Sequence, residues 1–224
     1  TTMNLFDAEV TGKFPSFTRD PAAFAAGFSW RDVKSSISAD PRSSAGGWRV
    51  RNQQNFYGET SVREAFAEIQ APLVRGASIA RALDLNLAGR VIDYAKSGVE
   101  WTWKAGLNWR LTPELRLRAT RSRDIRAPSL EELFATGRQG KATVFDSLTD
   151  ETYSDILVRN LGNETLRPEK ADTWVAGFVY EPSASFNLSL DYWSIDIEDA
   201  IREIAAAQTI DQCNLSDQTS PVCA

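Results

Sequence analysis

Apolar and polar side chains alternate with a period of two through the middle of this chain. From Val99 to Leu111, Trp101, Trp103, Ala105, Leu107, Trp109 and Leu111 share one parity, while Thr102, Lys104, Gly106, Asn108 and Arg110 share the other. Successive side chains of a strand point to opposite faces, so this segment has a greasy face and a hydrated one. The segment from Ile79 to Ile92 repeats the pattern, with Leu83, Leu85, Leu87 and Val91 opposing Asp84, Asn86 and Arg90. From Leu115 to Arg123, Leu115, Leu117 and Ala119 oppose Arg116, Arg118 and Thr120; downstream, Phe186, Leu188, Leu190 and Tyr192 oppose Asn187, Ser189 and Asp191. A period of two sustained over four segments predicts strands and disfavours helices.

Around these strands the signals vary. A further strand is expected at Ser61 to Gln70, followed by a turn from Pro72 to Ala77, and Asp93 to Gly98 reads as a short loop. Asp124 to Pro168 is a connection of about 45 residues with a short helix expected at Ser129 to Phe134, and structureless stretches of that length are uncommon unless functional. Residues 1–58 are harder to parse, with strands expected at Phe24 to Trp30 and Trp48 to Tyr57 around a Ser/Ala/Gly/Pro-rich loop from Ser35 to Gly47. The chain therefore divides into residues 1–58, a strand-rich part at 59–201 and a polar stretch at 202–224.

Composition narrows the function. Among 224 residues, 30 acidic and 25 basic side chains give a net charge of -5. No run approaches the roughly 18 consecutive apolar residues of a membrane-spanning helix, so any membrane is crossed by strands. The basic residues are scattered among acids, which leaves no electrostatic footprint for a nucleic acid. There is no histidine, which removes Ser-His-Asp and Cys-His machinery and histidine-bearing metal sites. Glu131-Glu132, Asp150-Glu151 and Asp196-Glu198-Asp199 read as solvated acids rather than a glycosidase pair, and Gly46-Gly47 reads as a turn. No cofactor and no enzymatic activity are expected.

Cys213 and Cys223 lie in a stretch rich in Asp, Asn, Gln, Ser and Thr. Two thiolates without histidine fall short of a zinc set, and their closeness favours a loop disulfide and an oxidising location. Thr1-Thr2-Met3-Asn4 lacks the charged and apolar regions of a signal peptide.

Several segments resemble TonB-dependent outer-membrane receptors, in the order that family has them. They are Leu83 to Arg90 with Tyr94; Arg126-Ala127-Pro128-Ser129-Leu130 with Glu132-Leu133-Phe134; Asn160 to Thr173, which contains Pro168-Glu169; Gly177 to Pro182; and Leu190 to Ile201. The resemblance covers about residues 59–201. It implies an all-β antiparallel meander belonging to a barrel of ~22 strands closed around a plug, and import of a scarce nutrient such as a siderophore, vitamin or oligosaccharide. The implied partners are the lipid of the bacterial outer membrane, a small extracellular ligand, and the TonB complex acting through a plug domain that this sequence does not contain.

A TonB box and a terminal aromatic-ended strand are also missing, and at ~10 residues per strand the chain accommodates about eight strands. It therefore reads as a central part of such a barrel, inactive alone and expected to pair its open edges with another copy or to fold over on itself. The resemblance assigns Thr112-Pro113-Glu114 and Glu181 to Ser185 to periplasmic turns, and 124–168 and the cysteine-bearing 202–224 to external loops. Arg90, Lys104, Arg110, Arg116 and Arg118 then line the lumen. Trp101 and Trp109 lie about 26 Å apart along a strand, near the apolar band of such barrels once tilt is allowed for. The competing reading is a secreted β-sandwich that stacks sugars on its tryptophans, with the greasy parity sealed inside.

Overall fold

The computed structural model of the chain describes all residues except 50, 51, 79, 217, 218, 220–222 and 224. The strands are β1 (Thr2–Phe14), β2 (Ala22–Ile37), β3 (Phe56–Ala77), β4 (Ala80–Tyr94), β5 (Gly98–Arg110), β6 (Leu115–Arg126), β7 (Thr136–Asp146), β8 (Glu151–Leu161), β9 (Glu169–Ser183) and β10 (Phe186–Glu198). Three short helices accompany them: α1 (Pro41–Ser44), α2 (Leu130–Phe134) and α3 (Ala206–Leu215). One eight-stranded antiparallel sheet runs β1-β2-β3-β4-β5-β6-β9-β10, and β7-β8 form a separate hairpin. β1 and β10 are the sheet's edges.

Register carries the alternation of each strand into the next. Leu83, Trp109, Leu117, Phe178 and Leu190 form one continuous row across β4, β5, β6, β9 and β10. The neighbouring row is Asp84, Asn108, Arg118, Gly177 and Asp191. A slip of one residue would exchange the two faces, so the pairing is strongly specified. The greasy face continues onto the first strands through Phe6-Trp30, Ala8-Phe28 and Val10-Ala26.

No second layer covers this face. Trp101 is 65% exposed, Leu190 63% and Tyr192 70%, whereas a sandwich core would bury them. The sealed two-layer interior is therefore overturned: the structure has one broad sheet and a two-stranded hairpin, and a hairpin is too small to cover eight strands.

The connections differ between the two ends of the sheet. Residues 15–21, 111–114 and 184–185 are short links at one end, where β3 also gives way to β4. At the other lie 38–55, the tight 95–97, and 127–168 with its own hairpin. Arg75 holds the short-link end together, its Nε 2.7 Å from Asp20 and its Nη2 on Asp84.

Several sequence expectations need correction. The Pro72 to Ala77 turn is strand: a bulge between Pro72 and Val74 absorbs the missing proline donor, and β3 runs on to Ala77. Ile79 lies outside the described residues. Trp48 to Tyr57 is mostly irregular, because Asn52 closes a local loop by accepting from Trp48 N and donating to Trp48 O, both at 2.9 Å. β1 forms where the alternation predicts no strand, and β2 starts before Phe24 and runs through Ile37. The 124–168 connection is not structureless, since it contains β7 and β8, and 202–224 contains α3.

Arg118 reaches across β9 to Asp191, with Nε 2.7 Å from Oδ1 and Nη2 donating to Oδ2. Gly177 lies between them in register, and a Cβ there would stand 2.0 Å from Asp191 Oδ1 and 2.5 Å from Leu190 O. Gly177→Ala should therefore cost about 1–3 kcal/mol through overpacking, whereas Arg118→Ala, which removes a partly exposed ion pair, should cost under about 1 kcal/mol. Denaturant midpoints of the two variants check this, and the reverse order would contradict it.

Candidate functional site

The long-link end gathers the residues that sequence analysis singled out. Arg126, the last residue of β6, is the register partner of Glu169, the first of β9. Their side chains meet fork to fork, Nε to Oε2 at 2.7 Å and Nη2 to Oε1 at 2.9 Å, the geometry in which a guanidinium recognises a carboxylate best. Nη1 of Arg126 also donates to both oxygens of Glu132 at 3.1 Å. Ser129 caps α2, its Oγ accepting from Glu132 N at 3.2 Å while Glu132 Oε2 accepts from Ser129 N at 2.7 Å. Glu169 Oε1 accepts from Ile201 N at 2.6 Å. One guanidinium thus ties together both ends of the β6–β9 connection, α2 and the chain leaving β10.

Ala127 is half-buried, and Pro128 and Pro168 are buried beside this node. Burial pushes the Glu132 carboxyl up, but the Arg126 guanidinium and the Ser129 amide and hydroxyl outweigh it and hold the group below its ordinary value.

Sequence reasoning did not pick out the fasteners that hold 127–168 down. Gly162 N donates to Ala135 O and Asn163 N to Glu132 O, both at 2.8 Å, satisfying carbonyls at the end of α2. A Cβ at Gly162 would lie 2.4 Å from Ala135 N, so only glycine fits. Phe134 sits over Gly58 on the polar face; Lys96 Nζ lies 5.2 Å from the Phe134 ring centroid and 2.8 Å from Glu164. These contacts are long-range in sequence, so no local signal announces them.

Further out, β7 is tied to the β2–β3 loop by an Asn52–Gln139 bridge, and Thr136 Oγ1 donates to Asn55 O. Cys213 and Cys223 are joined with Cα atoms 5.2 Å apart, and the adjacent Asn214 donates to Asp146 at 2.8 Å at the hairpin tip. The Leu148 amide and then Asn214 hold the Asp146 carboxyl below its usual range.

Arg90, Lys104, Arg110, Arg116 and Arg118 all share the polar face by register. A concavity of about 460 Å³ opens on the sheet, with Arg31, Glu64, Phe66, Arg90 and Lys104 in its lining. Within it Arg90 lies 5.4 Å over the Phe66 ring and 3.4 Å from Glu64. A second concavity of about 580 Å³ at the rim is lined by Ile37, Gln53, Gln54, Phe56 and Leu130 among others. Mixed charge, amides and aromatic surface suit reversible binding. Among the described residues no cluster of three acids or thiols could hold a metal ion.

The family model for the TonB dependent receptor-like β-barrel matches residues 2–222. The chain belongs to that family. Its members are receptors and transporters of the outer membrane, not an enzyme family. Similar solved structures include the siderophore receptor PirA from Acinetobacter baumannii, at 17% identity and a TM-score of 0.65, covering 88% of this chain and 27% of that one. A mutant of the ferric enterobactin receptor PfeA from Pseudomonas aeruginosa gives 18%, 0.63, 88% and 27%, and PirA from Pseudomonas aeruginosa 17%, 0.58, 87% and 32%. These likenesses concern the fold, and the chain spans about a quarter of the first receptor's length. No curated protein matches the sequence.

Removing the shared anchor with Arg126→Ala should raise amide exchange at Gly162 and Asn163 and expose 127–168 to protease, while exchange at Leu107 and Ala119 in the sheet stays slow. Unchanged exchange at Gly162 would contradict the role of the node. Because the folded pKa of Asp146 is depressed, its contribution is complete above the ordinary carboxylate range and is lost as pH falls through the lowered value. Protease cleavage of the β7–β8 hairpin should therefore rise on acidification, and Asp146→Asn should flatten that dependence.

Proposed function

We propose that this chain forms part of the channel wall and the outer loops of a receptor that imports a scarce nutrient across the bacterial outer membrane. The observation that carries the reading is the separation of apolar and polar rows across β4, β5, β6, β9 and the first half of β10: exposed side chains such as Trp101, Trp103, Trp174 and Leu190 meet lipid, and the charged rows face a wet lumen. The remaining strands of a full barrel complete the edges at β1 and β10, and the chain without them would pair those edges with a second copy.

The short-link end, with 111–114 and 184–185, faces the periplasm, and 38–55, 127–168 and the disulfide-closed end of the chain face outside. Ligand is captured among these outer loops and released inward when the TonB complex rearranges a plug that this chain does not supply. An iron-chelating siderophore is the first candidate, because the similar solved receptors are named for siderophores. Arg126, Ala127, Pro128, Pro168 and Glu169 act in this scheme as the hinge base of the largest loop, and the Cys213–Cys223 disulfide braces its hairpin.

Sidedness tests the reading. In cells making the complete barrel, Ser147→Cys at the hairpin tip should react with a membrane-impermeant thiol reagent. Glu114→Cys in the β5–β6 turn should react only after the outer membrane is permeabilised. Labelling of the turn in intact cells would overturn the topology.

A further inference from the structure

β5 and β6 part before either strand ends. Their ladder stops at Trp103–Arg123, although β5 runs on to Gly98, still paired with β4, and β6 runs on to Arg126, still paired with β9. Backbone groups of Glu100, Trp101 and Thr102 that point towards β6 therefore meet no strand, and water satisfies them. A wet seam of this kind does not lie in hydrocarbon, so it belongs to the long-link end of the wall, from the level of Trp101 outwards. The concavity of about 460 Å³ lies over it: Thr102 and Trp103 line one side, and Arg123, Asp124 and Ile125 the other.

Two ion pairs cross the seam. Glu100 of β5 meets Lys170 of β9, Oε2 to Nζ at 2.9 Å, with side chains only 17% and 29% exposed. By register Glu100 stands in the lumen row of Glu64 and Ile92, and Lys170 stands with Ile125 in the lipid-side parity. A continuous ladder would keep them on opposite faces, so their meeting marks the opening. Lys96, in the β4–β5 turn, meets Glu164 at 2.8 Å on the segment leading into β9. The signs are reversed between the two pairs, so a shifted alignment would bring like charges together. The 127–168 connection straddles the same seam: it leaves β6, places Phe134 over Gly58 of β3, and returns through Glu164.

We propose that the β5–β6 seam is a gate in the wall, latched by Glu100–Lys170 and Lys96–Glu164, so that lifting the 127–168 loop parts the strands and widens the concavity. The loop and the wall then open together, whichever nutrient the receptor carries. The plain alternative is two frayed strand ends beside two independent surface ion pairs, and it predicts no communication between the pairs.

Amide exchange in the complete receptor, held in nanodiscs, tests the coupling, which has to be reciprocal. Glu164→Gln, on the loop, should raise exchange at Glu100 to Thr102 about threefold, the size of a partly exposed ion pair. Glu100→Gln, at the seam, should raise exchange at Gly162 and Asn163 by a similar factor. Lys170→Gln should match Glu100→Gln, and the two together should do no more than either alone, because they remove one contact. Leu107 and Ala119 should stay slow throughout, as an intact sheet requires. A rise confined to the segment that carries each substitution, or additive effects of Glu100→Gln and Lys170→Gln, would overturn the proposal while leaving the receptor reading in place. Fast exchange at Leu107 and Ala119 in the unaltered receptor would remove the wall itself, and the gate with it.

Discussion

Everything in this molecule depends on one sheet serving two different surroundings at once. A strand can offer a greasy side and a wet side only if its parity is kept, and eight strands can do so together only if every register agrees. The adjacent rows Leu83–Trp109–Leu117–Phe178–Leu190 and Asp84–Asn108–Arg118–Gly177–Asp191 meet that condition across β4, β5, β6, β9 and β10. Hydrogen bonds between neighbouring strands satisfy the backbone, so the sheet needs no second layer behind it. This is why a chain with only a few buried apolar residues still has a well-specified fold.

On that platform the long-link end is organised by polar contacts. Arg126 binds two carboxylates, and each of these accepts a further backbone N–H, from Ser129 or from Ile201. Gly162 and Asn163 then close the end of α2. Connections of this kind can move as units, because what anchors them is a small set of charge-assisted bonds at the base rather than a packed core. A receptor that must capture and then release its ligand can use such loops.

What the sequence made legible follows the same physics. β4, β5, β6 and β10 were readable because large apolar residues alternate with charged ones, as in Trp101-Thr102-Trp103-Lys104. β2 was only partly readable, since Ala22, Ala23, Ala25, Ala26 and Gly27 give little contrast between its faces. β1 was blurred by Leu5 beside Phe6, which sets two large apolar groups on opposite parities. Of the site, Arg126, Pro168 and Glu169 were visible through family motifs and meet in space. The partners Gly58, Lys96 and Ile201 come from distant segments, and nothing local in the sequence reveals that they converge.

The central claim concerns which parity meets lipid, and a cysteine scan of positions 100–110 in the membrane-embedded receptor tests it most directly. The two cysteines of this chain are joined to each other and do not interfere. Reaction with a water-soluble thiol reagent should alternate, high at positions 102, 104, 106 and 108 and low at 101, 103, 105, 107 and 109. Uniform reactivity, or the opposite alternation, would contradict the account.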